Sequence, residues 1–489
     1  MDRTTLSAEW TRFRTGRGWV LGMVASVLVT VSIGLLVTGS ARTTCVTGKG
    51  EGPCPAPLLG PDGTAVADKY YFVHQPLQGD GSITARVSDM TGQIRLPDAV
   101  PGVRNVKEGV VVPWAKAGLL IRPTLKQGTP YAAIMITGAH GVRMQHNFTH
   151  DVAGAPVTGP RRLRLTRTGD TITGHESGDG RTWTEVGTVT LAGLPRTVEI
   201  GLFAASPGAL TDMTGRFAQA TATFDQIALR GANGSWRHDD VGVTMKPDGT
   251  PHHPGRAVES GGKVIVSGGG DIGPVIMTGG LRADLTLLGG AAGLVLVIVV
   301  AVTFFTADHR RGRGDPLAKA VVVGAVAFVT GLVTSGVVVP GGLALMRAHQ
   351  NPVQPITPAT GLQVIVGFAA LTAAAAVLAL GLAALVRRGI VAIGLAVGLV
   401  VVPYVLASAG LVPWLLMITP AAGFAITQSV PVFAHIDVDR SLLGGYYPLP
   451  PWAGLTVICG YAALVLWLAH RSCRWAVIPL THAHRHLPR

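Results

Sequence analysis

Apolar residues collect into six runs along this chain, each about as long as an α-helix must be to cross a hydrocarbon core. The first, Trp19–Thr38, stands alone near the start, and the others fall at Leu285–Thr306, Ala320–Leu343, Gly361–Val386, Ile390–Ile418 and Ala453–Ala469. All six are predicted to be membrane-spanning helices. The first run also has the flanks of a secretory signal peptide, with Gly39-Ser40-Ala41 as a small-residue cleavage site. It exceeds the usual length of such a segment, which favours an uncleaved anchor. Pro403 and Pro413 inside the fifth run, with Pro420 after it, predict a kink or break there. Each proline removes a backbone donor and clashes with the preceding turn.

Between the first two runs the period changes to two. Ile83, Ala85 and Val87 alternate with Thr84, Arg86 and Ser88, and Leu163 and Leu165 alternate with Arg162, Arg164 and Thr166. Such alternation suits a sheet with one face buried. Further strands are predicted at Lys116–Ile121, Tyr131–Thr137, Val142–Phe148, Thr197–Ala204 and Thr221–Leu229, separated by Gly, Pro and Asp turns. An antiparallel β-sandwich is the expected architecture. Within it, Ser177-Gly178-Asp179-Gly180-Arg181-Thr182-Trp183 has the composition of a tight hairpin followed by an aromatic that packs back under it. It is similar to a shortened Asp-box turn of carbohydrate-active β proteins, although turn chemistry alone accounts for its residues. Beyond Arg230 the composition loosens into Gly, His, Asp and Pro, for which a small β element or a stalk is expected.

Charge gives the runs a direction. Arg3, Arg12, Arg14 and Arg17, the turn His309-Arg310-Arg311-Gly312-Arg313 through Lys319, the pair Arg387-Arg388, and the tail from Arg471 all fall on one side if every run spans. The positive-inside bias makes that side the cytoplasm. The expectation is a multi-pass plasma-membrane protein with both termini cytoplasmic and residues 39–284 extracellular. The net charge of +13, on a chain that is 48% hydrophobic and 14% charged, then reflects topology and not nucleic-acid binding. Cys45 and Cys54 lie just beyond the first run, on the oxidising side, and are expected to close a small disulfide loop. Metal binding is the weaker reading, because their spacing is not that of a zinc knuckle. Cys459 and Cys473 are expected to be unpaired.

Several chemistries have no residues to carry them. There is no G-x-x-x-x-G-K-[ST] phosphate loop, no G-x-S-x-G and no H-E-x-x-H. Glu176, Asp179, Glu185 and Glu199 show no pairing across a cleft of the kind a glycosidase uses. Ionisable residues are almost missing from the spans, which disfavours ion-coupled transport. Neither His252 and His253 nor the tail histidines His482, His484 and His486 are favoured as a metal site. No enzymatic activity, metal or cofactor in this chain is expected. For a ligand of the β region, the candidate contacts are Trp114, Lys116, Asp179 and Trp183.

The opening Leu6-Ser7-Ala8-Glu9-Trp10-Thr11-Arg12-Phe13-Arg14 through Trp19 resembles the start of actinobacterial ABC-2-type transporter permeases. So do Lys319 through Ala325, Ile418-Thr419-Pro420-Ala421-Ala422-Gly423, and Gly445-Tyr446-Tyr447-Pro448-Leu449-Pro450-Pro451-Trp452. Tyr71-Phe72-Val73-His74-Gln75-Pro76 and Trp114-Ala115-Lys116-Ala117-Gly118-Leu119 resemble a concanavalin A-like domain of unknown function that some of these permeases carry. The resemblance implies a six-helix bundle with an inserted all-β extracellular sandwich. It divides into an arm (1–18), a first span (19–38), a disulfide-bearing linker (39–68), the sandwich (69–230), a Gly-rich segment (231–284), spans two to six (285–470) and a tail (471–489). It also implies a permease subunit, an exporter half, that pairs with a second transmembrane half, either its own copy or a related permease. ATP would be bound by a separate ATPase subunit, and lipid would surround the spans. Trp10, Phe13, Arg310, Arg311 and Arg313 are the candidate ATPase-coupling residues, the first two on an interfacial amphipathic helix. The inner connection Ala307–Lys319 is short for this family. The competing reading is a membrane-anchored glycan-binding receptor or lectin without transport; a membrane-tethered carbohydrate enzyme is a third.

Overall fold

The computed structural model describes residues 3–47, 50–96, 105–157, 159–211, 214–245, 250–252, 254–275, 280–309, 315–433 and 442–475. Arg310, Arg311, Arg313, His253 and the tail histidines lie outside them, and the side chain of Cys473 is likewise not described. The chain divides into a helical unit, 1–43 with 280–431 and 439–489, and a β unit, 44–279 with 432–438.

In the β unit the alternating residues pair as their pattern requires. Leu163 lies opposite Ala85 and Leu165 opposite Ile83, and all four are fully buried. The strands Gly81–Arg95 and Arg161–Thr168 therefore turn one apolar face inward and Arg86, Arg162 and Arg164 outward. They belong to an antiparallel sheet ordered Thr184–Thr190, Thr171–Ser177, Arg161–Thr168, Gly81–Arg95, Ala218–Arg230, Lys263–Gly269, Arg256–Ser260, with Val106–Glu108 beside Gly81–Arg95. A second antiparallel sheet runs His150–Ala153, Val142–His146, Ala132–Thr137, Lys116–Arg122, Thr197–Ala205, Tyr70–Gln78, Arg237–Val241. One core built from both sheets, including Ile83, Leu119, Ile134, Leu165, Leu202 and Phe224, makes the pair a sandwich.

Two findings differ from the sequence reading. The second sheet is buried on both faces: Tyr70, Phe72, Leu120, Tyr131, Met135 and Phe203 form another core with Val66, Phe148 and Ile272. Lys116–Arg122 is buried at every position, including its two terminal cations. The segment after Arg230 is also no stalk, since Arg237–Val241, Arg256–Ser260 and Lys263–Gly269 complete the two sheets. Smaller adjustments have local causes. The strand begun at Val142 stops at His146 because Asn147 and Phe148 take positive φ (48° and 69°) to turn the chain. Cys45 and Cys54 are joined in a disulfide on the small hairpin formed by Thr44–Thr47 and Gly50–Pro53. Cys459 is free and exposed.

The helical unit begins with α1 (Arg3–Thr15) and α2 (Arg17–Ser40) and continues with α3 (Gly290–His309), α4 (Pro316–Ala348) and α5 (Pro358–Val386). It ends with α6 (Gly389–Val400), α7 (Val402–Ser408), α8 (Leu415–Ile418) and α9 (Pro451–Trp475). Among the described residues, six helical stretches are long and apolar enough to cross a membrane: Arg17–Ser40, Gly290–Ala307, Pro316–Ala348, Pro358–Val386, Gly389–Ser408 and Pro451–Arg471. Asp315 and Thr357 cap α4 and α5 through backbone N–H groups of Leu317 and Thr360, each with proline in the first turn. Small residues let helices approach. A Cβ at Gly331 of α4 would lie 2.7 Å from Ala369 Cα of α5, and Ser335 Oγ donates to the Ile365 carbonyl at 2.9 Å. The fifth run is interrupted at Val401, before Pro403, and again after Ser408, so that α6, α7 and α8 lie within it and the 3-10 helix Pro420–Thr427 follows it. Every residue of that 3-10 helix is buried, as irregular backbone in an apolar surrounding must be.

Candidate functional site

The arm helix α1 carries a single acid, Glu9, among Arg3, Arg12 and Arg14. Leu6, Glu9 and Phe13 recur at helical spacing and face the rest of the unit: Glu9 and Phe13 are buried and Leu6 packs against the core. Phe13 meets Phe304 of α3 edge-on at 5.2 Å between centroids, and Trp19 of α2 meets the same ring at 5.0 Å. Over that ring lies Lys319 Nζ, 4.7 Å from its centroid, in the first turn of α4. Lys319 is 1% exposed, and its ammonium is 3.6 Å from Glu9 Oε2, while Arg12 Nη1 donates to Glu9 Oε1 at 3.3 Å. One carboxylate thus satisfies two cations, and a buried lysine is neutralised by the arm.

This seat joins α1, α2, α3 and α4 at one end of the helical unit. The opposite helix ends meet through other bonds: Thr43 N donates to Asn351 Oδ1 at 2.8 Å, and Leu281 N to the Pro352 carbonyl at 2.7 Å. Arg12, Arg14, Arg17, Lys319, Arg387 and Arg388 therefore share the seat's end. Trp10 and Phe13, paired in the sequence reading, part company here. Phe13 is 3% exposed and Trp10 is 48% exposed beside Arg14. The Glu9–Lys319 pair was missed. Its signal was one acid among three arginines in the first helix and a lone lysine at the mouth of an apolar run.

The four residues expected to contact a ligand in the β unit are each engaged within it. Trp114 is buried, stacked on His140 at 3.9 Å between centroids, with Arg143 5.3 Å away. Lys116 Nζ donates to Asp271 Oδ1 at 2.5 Å and to the Ile272 carbonyl at 2.6 Å. Asp179 Oδ1 accepts from the backbone N–H groups of Arg181 and Thr182 at 2.8 Å each. Those bonds hold its carboxyl down at about 2, and they are the bonds of a turn. Trp183 is covered by Arg164, 3.8 Å from its ring centroid. No cluster of three or more His, Cys, Asp or Glu able to hold a metal occurs among the described residues.

No protein-family model matches the chain, and no curated protein does. Among solved structures, a functionally unknown protein from Saccharomyces cerevisiae is similar at 14% identity. The match covers 34% of this chain and 76% of that one, with a TM-score of 0.22. A mutant of the GH43 protein BlXynB from Bacillus licheniformis is similar at 12% identity, over 33% of this chain and 27% of that one, with a TM-score of 0.18. At these scores neither likeness bears on what this chain does.

Proposed function

We propose that this chain is the transmembrane permease subunit of an ABC-2-like transporter, an exporter driven by a separate ATPase. The observation that carries the reading is the arm seat, which fastens a short basic helix to the starts or ends of three spans at one end of the bundle. A push on α1 would reach α2, α3 and α4 together through Phe13, Phe304 and the Glu9–Lys319 pair. Six span-length helices exceed what anchoring needs, and the chain has no phosphate loop of its own. By the positive-inside bias the seat faces the cytoplasm, the β unit lies outside the cell, and both termini lie inside. The disulfide agrees with an external β unit. The exposed face of the arm, Trp10 with Arg14, is then the surface offered to the ATPase, and a second transmembrane half completes the exporter. The lectin reading gains nothing from Trp114, Lys116, Asp179 and Trp183, since each is engaged inside its own unit.

The test is affinity purification of the tagged chain from native membranes. A P-loop ATPase should co-purify with the unaltered chain and be lost with Trp10→Ala, while the amount of inserted protein stays the same. If no such ATPase is recovered, or purified chain alone sustains transport in vesicles, the reading fails.

A further inference from the structure

We propose that a groove between α3, α5 and α6 binds an anionic phospholipid, with its phosphate on Arg387 and Arg388 and an acyl chain along the apolar walls. The groove measures about 670 Å³ and lies at the arm-seat end of the helical unit. Val302, Phe305 and Thr306 line it from α3, the two arginines from the end of α5, and Ile393 from α6. Val302 and Phe305 are buried and form its floor. Neither guanidinium has an ion pair or side-chain hydrogen bond among the described residues. Two adjacent positive charges that meet no carboxylate among the described residues suit a dianionic or anionic oxygen group, and a guanidinium matches a phosphate through paired N–H donors.

Two further observations point to lipid. Ile390 is 88% exposed and Val391 45% exposed, both at the groove's edge on a helix apolar enough to span a membrane, so the groove opens toward hydrocarbon and not toward water. Arg387 also ends α5 in the left-handed region, at φ 57°, where glycine is the unstrained residue. A strained arginine at that corner has its guanidinium to offer in return. Arginines at the end of a span sit at headgroup level and attract anionic lipid, while a neutral lipid brings its own cation to compete. The inference rests on the six helices being membrane spans. It does not require the transport reading.

The experiment uses the full chain, purified in mild detergent without any partner and analysed by native mass spectrometry. It is incubated with phosphatidylglycerol or with phosphatidylcholine of the same acyl chains. The chain should retain phosphatidylglycerol under activation that strips phosphatidylcholine. Arg387→Gly with Arg388→Gln removes both charges while suiting the left-handed backbone, so folding is not at issue, and should weaken retention about tenfold or more. Arg14→Gln with Arg17→Gln, at the same end, should leave retention unchanged. Equal retention of the two lipids overturns the proposal, and so does equal loss in the two variants, which would mean general attraction to a basic surface. Displacement of phosphatidylglycerol by millimolar inorganic phosphate would make this a site for a soluble anion and would also overturn it. Loss of the ATPase interaction leaves every one of these readouts unchanged, so the two proposals fail separately.

Discussion

Asp68 and Arg122 are both wholly buried, with Arg122 Nη2 donating to Asp68 Oδ2 at 2.9 Å. Tyr70, Thr129, the Lys126 carbonyl and the Gly128 N–H complete the cluster. Removing one partner strands the other charge in an apolar core, so Asp68→Ala should destabilise the β unit by about 3–5 kcal/mol. A double-mutant cycle with Arg122→Met, followed by thermal melting of the full chain in detergent, should show coupling of about 1 kcal/mol or more. A cost that is simply additive would mean the two charges act apart. His146 offers a pH test in the same unit. Burial, and then the charge of His150 stacked on it at 4.5 Å, push its pKa down from 6.5 to about 4, against the opposing pull of Asp62. Between those values the unfolded chain takes up a proton that the folded chain refuses. The group's stabilising effect is therefore full above pH 6.5 and is lost as pH falls toward 4. His146→Phe should flatten the decline in melting temperature across that window, and an unchanged slope would assign the acid sensitivity to other groups.

Among the elements, α1 separates two kinds of residue on one short helix. Phe13→Ala removes the ring packed against both Phe304 and Trp19, at a cost of about 3–5 kcal/mol. That should release the arm, and trypsin should cleave at Arg12 and Arg14 faster than in the unaltered chain. Trp10→Ala should leave cleavage unchanged, because Trp10 is not part of the seat. Equal cleavage of both variants would show that the seat does not hold the arm. The disulfide hairpin behaves differently. Cys45 and Cys54 close a short loop, only 9 positions apart in sequence, so replacing both with Ser should cost about 2–3 kcal/mol by loop entropy and leave the sheets of the sandwich intact. Elements were legible in sequence where one property repeats locally. The alternation at Ile83–Ser88 gave a strand, and Pro403 gave the break between α6 and α7. Lys116–Arg122 was legible as a strand but not as a wholly buried one, because its cations are neutralised by Asp271, 155 residues on, and by Asp68, 54 residues back.

For the whole molecule, the orientation proposed from charge makes a direct prediction. Reporters fused after Arg388 and at the C-terminus should read cytoplasmic, and one inserted near Gly201 should read external. A cytoplasmic reading near Gly201 would overturn the assignment. The number of apolar helices, the place of the inserted β unit and the grouping of basic residues at alternate helix ends were determined by the sequence alone, because run length and charge order are properties of the chain read in one dimension. The tertiary structure alone decided which charges are buried and which aromatics are free. Glu9 turns inward and Trp10 outward because Leu6 and Phe13 pack the same face of α1 on the core and Lys319, some three hundred residues away, lies there beside Phe304. A buried charge is tolerated only where folding brings its partner within reach, and no local pattern records that distance.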